Sequence, residues 1–396
     1  MAGRGALDDA RARTALLLLL TSILAVGAAQ RLADGFLQLA WRPAAPVDLE
    51  LRWHEVSRWA AGQPVYGAGP GGYPLATYPL LWVAIGWLDF AAARALWAAT
   101  SLLAIAWLAW LSAREAGART GLALAAAALL PAAVYPTRAV LVNGQLTLHV
   151  LPPLIVAALL LHRRAPSWPR DLAAAGLLIV GLTKPTIAGP FLALLPPARG
   201  PWRPMALVGA GYGTLTLLAA AFQPEGVLVL LGRFLTGAVP GATGAAASAH
   251  ANLHTWLGAV GLGWASLPAS LLALGALGVA LWRWRAADVW VALGLAAVVA
   301  RLWTYHYRYD DLLLLVPLIA LARLAIGSRG TALDRPAAVL VALLGASLLL
   351  PARLLVPPSA WIAPVETAQT VVWLATGIVL ARRARAATGG LGARAG

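Results

Sequence analysis

Long apolar stretches, separated by short polar ones, follow one another along almost the whole chain. A helix needs roughly 20 apolar residues to cross a bilayer, within a range of about 17 to 25. This pattern predicts twelve spans, at 14–33, 79–113, 119–136, 145–162, 171–183, 186–197, 204–222, 264–282, 287–303, 311–326, 336–355 and 367–382. The predicted fold class is therefore an all-α polytopic membrane protein, with one integral-membrane domain over residues 1–396.

Two of these stretches are irregular. The stretch 79–113 is too long for one simple crossing and breaks near Leu88-Asp89-Phe90, which predicts a short re-entrant piece followed by a span. The stretch 171–197 is interrupted at Lys184-Pro185. Proline removes a backbone donor and clashes with the preceding turn, so we expect two short spans to meet at that break.

The composition supports a membrane protein and excludes several other classes. Of the 396 residues, 61% are hydrophobic and only 11% are charged, whereas a soluble domain has about 25% charged residues. No basic stripe is interleaved with aromatic residues, as a groove for single-stranded nucleic acid would require. The chain has no cysteine, which excludes disulfides, a thiolate nucleophile and a cysteine metal site.

The formal net charge of +15 comes from arginines that lie mostly in short loops. Such loops are typically cytoplasmic. With the N-terminus inside, the arginine-rich loops and both tails, 1–13 and 383–396, fall on the cytoplasmic side. Arg11 and Arg13 before the first apolar run could also belong to a signal peptide, but we expect an uncleaved anchor. We predict a multi-pass protein of the bacterial plasma membrane.

The loops left outside contain nearly all the side chains suited to chemistry. These loops are 34–78, 137–144, the Lys184 break, 223–263, 304–310 and 356–366. In the first, Leu49, Trp53, Val56 and Ala60 recur at helical spacing, which predicts a helix lying on the membrane surface and ending at Gly62-Gln63-Pro64. In the loop 223–263, we expect a surface helix near 225–236 and a flexible segment over 237–249.

Asp48 and Lys184 are the most informative of these residues. Asp48 could cap the following helix through backbone donors, or act as a general base that takes a proton from an attacking hydroxyl. Lys184 at the broken span could reach the interface with its long side chain. Because charges within a membrane usually line a functional cavity, it could instead bind a phosphate, with Thr183 and Thr186 beside it.

Three further groups of residues allow two interpretations each. Asn143-Gly144-Gln145 could be only a turn, or Gln145 could bond a sugar or a phosphate. His250 and His254 have the spacing of a metal pair, but no acidic partner is near, so polar packing or substrate binding is favoured and no metal is expected. The cluster 301–311 could be an interfacial belt in which Arg308 pairs with Asp310 or Asp311, or a site for sugar and phosphate.

Several short motifs follow one another in order over roughly residues 10–330. They are Asp48 with the later Trp59-Ala-Ala-Gly62-Gln-Pro64-Val-Tyr66 (like "aGxdPY"), Tyr78-Pro79-Leu80 (like "YPP"), Asn143-Gly144-Gln145-Leu-Thr-Leu (like "GQvn"), Ala175-Gly176 through Lys184-Pro185 (like "AG…iKp"), Asn252-Leu-His254 (like "N-x-S") and Trp303-Thr-Tyr-His306-Tyr307 (like "sW.Hy"). Through these motifs and their shared order, the chain resembles glycosyltransferase family 87. Two of them depart from the family pattern: Leu80 replaces a second proline, and His254 replaces the usual serine.

The resemblance implies a C-type membrane fold and an inverting single displacement. The donor would be a polyprenyl-phosphate hexose, with mannose favoured, and the acceptor a lipid or glycan on the external face. Asp48 matches the family's catalytic base. We assign Lys184, His306 and Arg308 to the donor phosphate, and the following residues to the sugar or acceptor: Tyr66, Tyr78, Asn143, Gln145, Asn252 and His254.

This assignment leaves rival functions and several open points. A polytopic transporter or lipid flippase is the main alternative, although it would favour polar sites near the midplane and broken helices in two related halves. A noncatalytic assembly partner is less attractive. No cofactor is expected, and the few external carboxylates leave participation of a divalent cation undecided. The transferred sugar, the final cell-envelope glycoconjugate and the oligomeric state are not determined by the sequence.

Overall fold

The computed structural model describes residues 2–42, 46–66, 72–245, 252–326, 334–349 and 362–392. All the elements in these ranges are helical, as predicted. The α-helices are α1 (Ala2–Trp41), α2 (Val47–Ala60), α3 (Thr77–Leu81), α4 (Phe90–Glu115), α5 (Gly121–Ala133), α6 (Tyr135–Asn143), α7 (Thr147–Arg163), α8 (Trp168–Gly181), α9 (Pro185–Leu192), α10 (Trp202–Ala221), α11 (Val227–Ala245), α12 (Leu253–Ala259), α13 (Ser266–Arg283), α14 (Val289–Leu302), α15 (Leu315–Ile326), α16 (Arg335–Leu349) and α17 (Ile362–Gly392).

Local sequence signals explain where several helices begin and end. Asp89 accepts the Ala92 N–H at 2.8 Å and starts α4 after a π-helical turn at Trp82–Gly86, which confirms the predicted break in 79–113. Ser167 and Thr120 cap α8 and α5 in the same way, each accepting an N–H three residues on. The predicted break at Lys184-Pro185 is confirmed, because α8 ends at Gly181 and α9 begins at Pro185.

The predicted count of twelve crossings is not confirmed. In the described ranges, five helices are long and apolar enough to span a membrane, and a sixth is added if α5 and α6, which meet at a 40° bend, count as one span. Other predicted spans form shorter helices. With only 14 residues, α14 extends about 21 Å at 1.5 Å per residue. Nearly all its residues are buried, so it is a core helix between α15, α9 and α17.

Three predicted loop or tail segments contain more helix than the sequence suggested. The predicted external loop 137–144 is mostly helical, because α6 continues to Asn143. The helix predicted at 225–236 is α11, which extends to Ala245, so the first part of the segment expected to be flexible is helical. The residues assigned to the tails 1–13 and 383–396 are helical from Ala2 and as far as Gly392.

Two arginines of the predicted inside loops, Arg163 and Arg323, contact Glu115 at the end of α7 that lies away from Lys184. Arg163, the last residue of α7, donates to both carboxylate oxygens of Glu115 at 2.8 and 2.7 Å. Trp290 donates to Glu115 at 2.8 Å, and Arg323 to its carbonyl at 2.7 Å. Helix α7 has 17 residues, so this cluster lies about 24 Å from its first residue, at 1.5 Å per residue. The two arginines and Lys184 therefore lie at opposite ends of α7.

Candidate functional site

At the Lys184 end of α7, the first turn of α2 packs directly against the turn between α6 and α7. Gly144 in that turn has φ +64°, and a Cβ there would lie 2.6 Å from the Cβ of Leu49 and 3.0 Å from that of Pro46. Only glycine combines this left-handed backbone with so close an approach. The approach brings Asp48 next to Gln145, whose Nε2 donates to the Asp48 Oδ2 at 2.5 Å.

The environment of Asp48 argues against a purely capping role. Pro46 is the N-cap residue of α2, and no side chain caps this helix. Asp48 lies inside the first turn, where the helix dipole favours a carboxylate. Burial raises the pKa of Asp48, although the hydrogen bond from Gln145 and the charges of Lys184 and Arg52 oppose the shift. Asp48 is thus a carboxylate bonded to a neutral amide, with a raised pKa.

We expect Gly144→Ala to lower both stability and activity. The alanine would have to adopt a strained left-handed backbone, at a cost of about 1–3 kcal/mol, and its Cβ would push Leu49 and Asp48 away from Gln145. Thermal unfolding of the purified protein in detergent, together with a transfer assay, measures both effects. Gly213→Ala is the matched control, because no heavy atom lies within 4 Å of a Cβ at that position. Unchanged activity in Gly144→Ala would contradict a site that depends on this turn.

Lys184 joins the predicted residues into one network. Its Nζ donates to Asp310 Oδ1 at 2.7 Å, to Thr147 Oγ1 at 3.0 Å and to Gln145 Oε1 at 3.2 Å. A lysine has three N–H donors, so these bonds occupy all of them. Lys184 is only 7% exposed and is the only lysine in the sequence. A compact ammonium suits three acceptors that converge on one point, whereas a planar guanidinium does not.

Asp310 and His306 extend this network. His306 Nδ1 lies 2.9 Å from Asp310 Oδ2. Burial by itself raises the pKa of Asp310, but the charge of Lys184 and the bond with His306 outweigh it and hold that pKa below its usual range. Burial lowers the pKa of His306. A neutral imidazole then donates from Nδ1 to Asp310, which leaves Nε2 as a buried acceptor with no hydrogen-bond partner among the described residues.

Asp48, Gln145, Lys184, Asp310 and His306 therefore form a continuous chain, which we call the Asp48–His306 network. Its residues come from α2, the α6–α7 turn, the α8–α9 break and the segment after α14. Four of them were predicted site residues that are far apart in sequence. Asp310 was missed as a site residue because the sequence suggested Arg308 as its partner. Thr147 donates to Asp310, and the ring centroid of Tyr309 lies 5.0 Å from Lys184 Nζ. The sequence did not predict either residue, because threonine and tyrosine are common in membrane helices and at membrane interfaces.

Arg308 belongs to a different cluster. It pairs with Glu366 of α17, so the suggested pairing with Asp310 or Asp311 is wrong. Asp311 instead bonds Arg301 and Tyr135, and the Arg301 guanidinium lies 4.7 Å from the ring centroid of Trp373. The structure therefore joins Lys184 and His306 through Asp310 and places Arg308 outside the network.

His254 and Asn252 are both buried, and His254 lies close enough to His306 for their charges to interact. Asn252 Oδ1 accepts the Thr255 N–H at 3.0 Å and caps α12. His254 Nε2 lies 2.8 Å from Ser270 Oγ, which donates to the Trp303 carbonyl at 2.5 Å. His250 lies outside the described residues. Within the described ranges, no group of three or more His, Asp or Glu side chains has the arrangement of a metal site.

The remaining predicted residues divide between a turn and an aromatic cluster. Asn143 donates to the Ala139 carbonyl at 2.8 Å, within α6, and does not join the network. The Tyr66 hydroxyl donates to the Tyr73 carbonyl at 2.8 Å. Tyr78 is fully buried, with its ring 6.5 Å from that of Tyr66. The two tyrosines therefore lie together, and the ring of Tyr78 stacks on that of Trp59 in α2.

Fold and site together describe an all-helical membrane protein with a buried ionisable network at one end. The sequence model of glycosyltransferase family 87 matches residues 73–304, more than half of the chain. The chain belongs to glycosyltransferase family 87, as the motifs suggested, and it is a membrane glycosyltransferase. The matched range includes Gln145 and Lys184, whereas Asp48 and His306 lie outside it. Searches of curated proteins and of solved structures found no match.

Proposed function

We propose that this glycosyltransferase moves a hexose, mannose being the favoured one, from a polyprenyl-phosphate donor to a hydroxyl group of a lipid or glycan. One observation carries the proposal: the Asp48–His306 network holds two aspartates with opposite properties. Asp310 is neutralised by Lys184 at 2.7 Å, and its pKa is lowered. Asp48 bonds a neutral amide, and its pKa is raised. Of the two, Asp48 is suited to accept a proton.

The proposed reaction is a single displacement. The acceptor oxygen attacks the anomeric carbon and loses its proton to Asp48. The bond between that carbon and the phosphate oxygen breaks on the opposite side, and the electron pair leaves with the lipid phosphate. The new glycosidic bond has inverted configuration. No covalent enzyme intermediate and no metal are required, since the leaving group is already a phosphate.

Lys184 and His306 are proposed to bind the leaving phosphate. All three N–H donors of Lys184 are occupied, so a phosphate oxygen would replace one acceptor, and the bond to Gln145 at 3.2 Å is the longest. Before the donor binds, His306 would take a proton from water at Nε2 and then donate this N–H to a phosphate oxygen, while Asp310 stabilises the imidazolium. Cations that stabilise charge as it develops on a leaving group make large contributions to catalysis. Arg308 would take part only after leaving Glu366.

The proposed orientation places this reaction on the external face of a bacterial plasma membrane, with both termini in the cytoplasm. The two arginines at the far end of α7 support this orientation, because short basic loops are retained on the cytoplasmic side. Tyr66, Tyr78, Asn252 and His254 would then contact sugar or acceptor. Asn143 would act mainly through the turn that contains Gln145.

The proposed function is tested by sugar transfer in nanodiscs. Polyprenyl-phosphate mannose with a radiolabelled sugar is mixed with a membrane-lipid extract of the source organism, and labelled glycolipid is separated from free sugar. We expect transfer, with inversion at the anomeric carbon. Transfer from a different polyprenyl-phosphate sugar alone would correct the choice of mannose. Transfer only from a nucleotide sugar would contradict the proposal.

We also expect Gln145→Leu to shift the pH dependence of transfer. Asp48 must be deprotonated to act as a base, so kcat/KM rises with pH through its pKa, which lies above the ordinary aspartate value of about 3.9. Gln145 stabilises the carboxylate and lowers its pKa. Removing this donor should therefore move the acid limb to higher pH. Exposed Gln63, replaced by leucine, is the control, and an unmoved limb in Gln145→Leu would contradict the assignment of the base.

A further inference from the structure

Helix α2 carries two further charged side chains, those of Arg52 and Glu55, on the same face as Asp48. Asp48, Arg52 and Glu55 are separated by four and three residues, which places them on one side of a helix. From Asp48 to Glu55 the helix rises about 10 Å. Arg52 and Glu55 form an ion pair, and their side chains are only 12% and 14% exposed. Glu55 is not among Leu49, Trp53, Val56 and Ala60, whose spacing predicted the packed face of α2, yet the structure turns it inward.

Two tyrosines lie beside this ion pair. The Arg52 guanidinium lies 4.5 Å from the ring centroid of Tyr73. The Tyr78 hydroxyl is buried and has no hydrogen-bond partner among the described residues. A Cβ at Gly72 would lie 2.4 Å from this hydroxyl and 3.8 Å from Glu55 Oε1. Any side chain at position 72 would therefore enter the space beside the phenol and the carboxylate.

Packing alone does not explain these polar groups. A surface helix needs an apolar inner face and a polar outer face, and α2 already has Leu49, Val56 and Trp59 buried. Replacing a buried ion pair by apolar residues is often neutral or stabilising. A buried hydroxyl without a partner is unfavourable. Burial also raises the pKa of Glu55 against the charge of Arg52. A ligand that supplies hydrogen bonds would compensate these costs.

The charges indicate what kind of ligand fits. Arg52 and Glu55 neutralise each other, and Asp48 next to them is an anion, so an anionic group is not favoured here. The carboxylate accepts hydrogen bonds, the guanidinium donates them, and the Tyr78 hydroxyl does both. The Tyr73 ring offers an apolar surface. A neutral ring with several hydroxyl groups matches this combination.

We propose that Arg52, Glu55, Tyr73 and Tyr78 form the acceptor subsite, which binds a neutral polyhydroxylated ring, a sugar or a cyclitol, and directs one of its hydroxyl groups to Asp48. The inference rests on the proposed role of Asp48 as the base. Glu55 and Arg52 bind hydroxyl groups away from the reacting one. The donor phosphate is bound at the other end of the Asp48–His306 network, so the two substrates have separate determinants.

Kinetics with both substrates provide the first test. Transfer and release of free sugar by donor hydrolysis are measured together while the acceptor extract is varied. Glu55→Gln should raise the acceptor concentration for half-maximal transfer at least tenfold and leave the donor KM and donor hydrolysis unchanged. Tyr73→Phe should keep the ring and give a smaller change, because the inference assigns Tyr73 a stacking surface. Glu50→Gln, at an exposed position of the same helix, is the control.

A binding measurement separates this inference from the proposed function. Saturation-transfer NMR is recorded on the purified protein with methyl α-mannoside and with myo-inositol as probes. At least one probe should give a signal that persists in Asp48→Asn and disappears in Glu55→Gln. If the wild-type protein gave this binding result but had no transfer activity, the subsite would be supported and the proposed function refuted. Active wild-type enzyme with unchanged acceptor dependence in Glu55→Gln would refute the subsite alone.

A stability measurement distinguishes loss of ligand binding from loss of folding in these variants. Thermal unfolding in detergent is measured for each variant. If Glu55→Gln unfolds at a clearly lower temperature than the wild type, both experiments are repeated with a double variant. This variant, Arg52→Gln/Glu55→Gln, removes both charges and leaves no unpaired one. The double variant should also lose the probe signal and raise the acceptor requirement. Equal increases in donor and acceptor KM in either variant would contradict a separate acceptor subsite.

Discussion

Asp48→Asn should remove nearly all hexose transfer and leave the protein folded. The asparagine carbonyl can still accept the hydrogen bond from Gln145, so the contact between α2 and the α6–α7 turn is preserved. The amide cannot accept a proton from the acceptor hydroxyl. General-base catalysis contributes about 10²–10⁴-fold to rates, and we expect kcat to fall by that factor. Radiolabel transfer from polyprenyl-phosphate mannose at saturating acceptor measures it.

The same change of charge at a neighbouring position provides the control. Glu50 lies on the exposed side of α2, two residues from Asp48. Glu50→Gln should transfer sugar at the wild-type rate. Thermal unfolding in detergent should be similar for the wild type and both variants. If folded Asp48→Asn retained activity within a factor of ten of the wild type, another group would have to be the base.

Lys184→Met has the second large expected effect, because it alters both stability and catalysis. Removing the ammonium leaves Asp310 as a buried carboxylate without its cation, and Gln145 and Thr147 each lose a hydrogen bond. Breaking a buried ion pair in this way costs about 3–5 kcal/mol. Loss of a group that stabilises the leaving phosphate should lower kcat by about 10²–10³-fold. Thermal unfolding and transfer assays measure the two effects separately.

Two further variants separate charge from packing. In Lys184→Met/Asp310→Asn the unpaired carboxylate is gone, so stability should recover and activity should not. Lys184→Arg keeps the charge but presents a planar group to three convergent acceptors, so it should also lose most activity. Arg11→Met, at an exposed cation near the start of α1, should match the wild type. Full activity of the double variant would show that Lys184 serves the fold alone.

Local sequence signals predicted much of the fold. Proline after Lys184 excludes a continuous helix, and Asp89 supplies a cap where the long apolar stretch 79–113 breaks. Helical spacing of apolar residues predicted the position of α2, and Gly62 with φ +70° ends it as expected. These features depend only on residues within a few positions of one another. The family motifs likewise pointed to Asp48, Gln145, Lys184 and His306, which the structure joins through hydrogen bonds.

Tertiary packing decided the rest, because long-range partners leave no local signal. Arg308 and Asp310 are two residues apart, yet one bonds Glu366 and the other Lys184, since a 3-10 segment directs them to different sides. Glu55 lies inward because Arg52 and Tyr73 meet it there, although it is not among the residues whose spacing predicted the packed face of α2. Apolar sequence alone does not distinguish a helix facing lipid from one inside the protein, so the burial of α14 among α15, α9 and α17 was not predictable. The sequence determined the helices and their breaks, and packing determined which charges meet.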